Sequence, residues 1–82
     1  MTAIRKIALQ IIDILEFFER EGYAVVIPHK YFSDRSHSLQ MLGMELSKID
    51  QQLTNDLFVG IITKAPAEAR RHARHMLAEF LT

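Results

Sequence analysis

Ile4, Ile7, Ala8, Ile11, Ile12, Leu15 and Phe18 recur at intervals of three and four, the spacing that lines up side chains on one side of an α-helix. The pattern predicts a helix over residues 2–21, and Ile14 widens its apolar stripe enough to meet more than one neighbour. Thr2 is a candidate N-cap, and Gly22 stands where a residue in the left-handed conformation commonly ends a helix. The periodicity then changes. Tyr23-Ala24-Val25-Val26-Ile27 is a short apolar run between Gly22 and Pro28, rich in β-branched residues, and predicts a strand. From Pro28 to Ser38, polar residues surround the aromatic pair Tyr31-Phe32, and the stretch reads as a loop.

A second helix is expected from about Ser36 or Ser38 to Gln52. Leu39, Leu42, Leu46, Ile49 and Leu53 form its stripe, with Met41 and Met44 beside it. Residues 57–63 carry conflicting signals. Ile49, Leu53, Leu57 and Ile61 recur every four residues, which would continue a helix. Against that, Asn55-Asp56 is a turn signal, and Val59, Ile61, Ile62 and Thr63 prefer a pleated surface. The preferred reading is a second strand, because a strand at 23–27 needs a partner for its backbone groups. Pro66 suits the first turn of a last helix over about 66–81, with Ala69, Ala73, Met76, Leu77, Phe80 and Leu81 on its apolar side. The predicted fold class is α+β in the order α-β-α-β-α, its two-stranded ribbon joined by a right-handed parallel crossover. The alternative is an all-α bundle of three to four helices, in which residues 49–63 are helical.

Length and composition narrow the function classes. Eighty-two residues fit one domain, 1–82, since domains span roughly 50–250 residues. Ten basic residues balance ten acidic ones, so no strong overall field draws in nucleic acid or an anionic membrane. With no cysteine there is no disulfide framework, thiol nucleophile or Cys-ligated metal centre. The N-terminus opens on Arg5 and Lys6, but Gln10, Asp13, Glu16 and Glu19 interrupt the apolar residues. That excludes a signal-peptide core and a membrane span, and the expected location is the cytoplasm. A core this small, with a two-strand ribbon, is commonly enlarged by self-association, so a homodimer is expected.

Candidate chemistry is sparse. Gly22, Gly43 and Gly60 are isolated, without a phosphate-binding glycine motif. Serines and histidines between His29 and Ser38 sit together as turn residues do, and the chain is read as a non-enzyme with no catalytic residue and no cofactor. Glu68, His72, His75 and Glu79 fall on one helical ridge and are weak candidate metal ligands. No buried partner ligand is evident, and the expectation is a solvated face without metal. Arg70, Arg71 and Arg74 could meet phosphates, but Asp13, Glu16, Glu19 and Glu21 are a natural counterpart, in the same chain or across a dimer. A helix-turn-helix can be drawn around Gly43, with Lys48 on a phosphate and Gln51 and Gln52 facing bases.

The aromatics point to association. At about 100° per residue, Phe17 falls among Lys6, Gln10 and Asp13, on the polar side of its helix. With Tyr31, Phe32, Met41 and Met44 it makes a candidate partner-binding surface. The leading expectation is a small regulatory or inhibitory protein that binds another protein, as a homodimer. The alternative is a small DNA-binding regulator using the Gly43 region or the basic C-terminal helix.

Overall fold

The apolar stripe of the first segment is buried from Ile7 to Phe18 in α1, Ala3–Arg20, with Ile4 partly covered at its start; Ile7, Ile11, Leu15 and Phe18 face the core and Ile14 closes a second side. The structure, a computed structural model, describes residues 3–22 and 34–81. Beyond α1 the Gly22 N–H donates to the Glu19 carbonyl at 3.2 Å. Gly22 itself has φ +78°, the left-handed conformation that a residue with a Cβ resists.

Helix α2, Asp34–Ile49, ends one residue before α3, Gln51–Ile62, begins. Asp50 makes the corner. Its backbone is extended and its carboxylate accepts from the Leu53 N–H at 3.0 Å, which satisfies one of the orphan donors of α3. Pro66 then opens α4, Pro66–Met76, and Leu77 separates it from a last turn, α5, Ala78–Leu81. Helices α1 and α3 each pack on both α2 and α4, so the four form a closed ring, with α5 against α1 and α4. Phe18, Leu15, Leu39, Leu46, Leu57, Ile61 and Leu77 fill its centre.

This corrects the expected α+β order. No strand occurs among the described residues, and residues 57–63 belong to α3 and its C-cap, Thr63. The expected strand at 23–27 lies outside the described residues. The conflict in this segment is decided by burial. As a helix, α3 sinks Leu57 and Ile61 one turn apart into the core, leaving Val59 and Ile62 half or more exposed. A β-branched residue loses only a few tenths of a kcal/mol in a helix, whereas burying one Leu or Ile yields about 1.5–3 kcal/mol. Asn55-Asp56 makes no turn; Gln52 Nε2 donates to the Asp56 carboxylate at 3.1 Å across one helical turn. The all-helical class of the alternative is what is found, but with five helical segments among the described residues instead of three to four, and with residues 49–63 divided at Asp50 between α2 and α3.

Two glycines let helices approach closely. A Cβ on Gly43 would come within 2.9 Å of the Phe58 ring, and one on Gly60 would clash with the Nε2 edge of the His72 ring. Gly43 therefore lies inside a continuous α2, with no turn there, and the helix-turn-helix drawn around it is absent.

Candidate functional site

The face between α1 and α2 holds Met41 of the candidate association residues, with Phe17 at its Arg35 end. The two helices lie side by side, and a groove of about 400 Å³ runs between them with Ile14, Met41 and Leu42 along it. A second hollow of about 340 Å³, bordered by Ala3, Lys6 and Glu45, shares Gln10, Leu42 and Glu45 with the first. Met41 is 45% exposed and Met44, one turn further along α2, 55% exposed. Tyr31 and Phe32 lie outside the described residues.

Phe17 is held at this seam. Its ring meets Phe18 edge-on, with centroids 6.0 Å apart at 66°. The Arg35 guanidinium of α2 stands 4.8 Å from the Phe17 centroid, and Arg20 stands 5.7 Å from it. A cation over an aromatic face is attracted by the ring quadrupole. Arg35 also reaches Asp13, with Nη1 3.6 Å from the carboxylate. The ring that the helical wheel left among polar residues is thus clothed by its own molecule, through a cation brought in from α2.

The basic face of α4 is answered by the acidic face of α1. The Arg70 Nε and Nη2 both donate to the Glu19 carboxylate, at 3.2 and 3.1 Å, and Arg74 Nη2 donates to Glu16 at 2.7 Å. The hydrogen bonds and charge of Glu19 raise the Arg70 pKa above the ordinary arginine value. Arg71 remains on the exposed side of α4. Lys48, Gln51 and Gln52 are exposed around the Asp50 corner. The arrangement therefore divides the nucleic-acid candidates between two places, with Arg70 and Arg74 engaged by carboxylates.

The histidine ridge is dispersed. His72 packs its ring on Gly60 and sets Nε2 3.3 Å from the Asp56 carbonyl, a hydrogen bond in the tautomer protonated there. His75 and Glu68 are exposed on α4, while Glu79 sits beyond the Leu77 break in α5. Among the described residues no group of three or more histidines and carboxylates is placed to hold a metal ion. No helix among them is long and apolar enough to cross a membrane.

Sequence reasoning missed Arg35 as the partner of Phe17 and Asp13, and missed Glu45 as a border of the groove and Lys6 as a border of the hollow beside it. Their signal was present in periodicity. Lys6, Gln10 and Asp13 share one side of α1, and Arg35, Ser38, Met41, Leu42 and Glu45 share one side of α2. What was missing was which two sides face each other. Compared with protein-family models, curated proteins and solved structures, the chain matches none.

Proposed function

We propose that this chain is a small non-enzymatic regulatory or inhibitory protein that binds another protein through its α1/α2 face, working as a homodimer. The observation that carries this reading is the groove between α1 and α2, bordered by Met41, with Met44 exposed on the same helix. Two helices side by side offer the seat in which a partner helix lays its apolar face. Unbranched, polarizable methionine side chains adapt to such partners, and charged groups of both signs at the edges supply orientation. The DNA-binding reading draws less support, because Arg70 and Arg74 are engaged by Glu19 and Glu16.

The test is retention on immobilised protein, wild type against Met41→Glu/Met44→Glu. Both residues are exposed enough for the variant to keep its helix content and melting temperature. The expected result is a specific protein retained by the wild type and lost from the variant. Equal retention by both, or no protein retained by either, refutes the reading.

A further inference from the structure

The charges bordering the α1/α2 groove and the hollow that continues it alternate in sign. At one end Lys6 of α1 and Glu45 of α2 border the same hollow. At the other end Asp13 of α1 stands beside Arg35 of α2, 3.6 Å apart. Each helix thus carries one cation and one anion on this face, in opposite order. At 1.5 Å per residue, the two charges on α1 lie about 10 Å apart and those on α2 about 15 Å apart.

Four charges in this arrangement are self-complementary. A two-fold axis lying in the plane of the face and along the groove brings Lys6 of one copy to Glu45 of the other, and Asp13 to Arg35. An axis lying across the groove brings Lys6 to Asp13, and Glu45 to Arg35. Under either rotation each of these four charges meets its opposite, which is what an isologous interface requires of a single patch. Like charges would suppress such pairing, and among these four none meet.

We propose that the occupant of the α1/α2 face is a second copy of this chain, docked about a two-fold axis in the plane of that face. This rests on the reading of the face as a binding surface and names what it binds. The interface is small. The molecule measures 30 × 22 × 21 Å, so the face spans at most roughly 660 Å² per copy, less than the ~800 Å² of a standard stable interface. The dimer is accordingly weak, and its exposed charges make it sensitive to salt.

The experiment is sedimentation equilibrium of the full chain over roughly micromolar to millimolar concentrations, at low and high salt, with helix content checked by circular dichroism. The expected result is a concentration-dependent monomer–dimer equilibrium that weakens as salt rises and falls about tenfold further on Lys6→Glu. Adding Glu45→Lys restores the dimer if the axis runs along the groove; adding Asp13→Lys restores it if the axis runs across. Recovery in either pair supports the proposal and identifies the axis. A monomer at every concentration overturns it, as does a dimer indifferent to Lys6→Glu or one that neither pair restores. A monomer that still retains a foreign protein through Met41 and Met44 removes the second copy but leaves the protein-binding reading standing. A charge-coupled dimer that retains no other protein keeps the face as a binding surface with the second copy as its occupant, and removes the foreign partner.

Discussion

Truncating Leu57 and Val59 one at a time asks directly whether residues 57–63 are a helix or a strand. In a strand, residues 57, 59 and 61 share one face, so all three would be buried or all three exposed. In α3 they separate: Leu57 and Ile61 are 0% exposed and Val59 is 61% exposed. Leu57→Ala removes a fully buried side chain and leaves a cavity, at a cost of about 2–5 kcal/mol. Val59→Ala loses a minor fraction of one Val burial, about 0.5 kcal/mol, and regains a similar amount in helix propensity, for a net change near zero. For a domain of this size 1 kcal/mol moves the melting temperature by roughly 4–8 °C. Leu57→Ala is thus expected to lower it by about 10 °C or more, while Val59→Ala leaves it within a few degrees. Thermal unfolding followed by far-UV circular dichroism reads both, with urea unfolding to supply free energies. If the two substitutions cost the same within about 0.5 kcal/mol, the helical register of α3 is wrong.

Three further outcomes follow from local geometry. Asp50→Ala removes the acceptor for the Leu53 N–H and should cost about 1 kcal/mol in urea unfolding; an Asp50→Asn variant that is equally destabilised would argue against capping as the cause. Gly60→Ala is expected to be neutral or slightly destabilising in the wild type, where the new Cβ displaces the His72 ring, yet to stabilise a His72→Ala background by about 1 kcal/mol through helix propensity; strict additivity of the two changes would show that α3 and α4 do not meet there. Arg74→Glu places two carboxylates together at Glu16 and should cost under about 1 kcal/mol, recovered in part by Glu16→Lys, as an exposed pair allows; tight DNA retention near 150 mM salt, lost on the reversal without recovery, would instead promote the DNA-binding reading.

Local pattern was sufficient for α1. Seven of its apolar positions, from Ile7 to Phe18, are buried as the three-and-four spacing implied, and Gly22 takes the positive φ that its place after the helix suggested. The same holds for Leu39, Leu42 and Leu46 in α2, and for Ala69 and Ala73 in α4. A wide stripe on a long helix tolerates little else, because any other conformation would leave those side chains in water. The charge pairing was also legible. Four acidic residues near the end of one helix and three arginines in another form a complementary set, and Glu16–Arg74 and Glu19–Arg70 realise it.

Residues 57–63 show where local pattern stopped. Val59, Ile61, Ile62 and Thr63 favour a strand by a few tenths of a kcal/mol each, and Leu53, Leu57 and Ile61 favour a helix only if a core lies on their side. The surfaces of α2 and α4 provide that core, and no window of sequence contains them. The stop at Asp50, which was read past, is a cap whose worth depends on α3 forming at all. The α1/α2 face has the same character. Lys6, Asp13, Arg35 and Glu45 could be placed on helix sides from their spacing alone, but their alternation around one groove and the hollow that continues it exists only once the two helices lie together. Periodicity is a property of one element and is written in its residues. Which periodic faces meet depends on how several elements share a single core, and that is settled by packing across the whole chain.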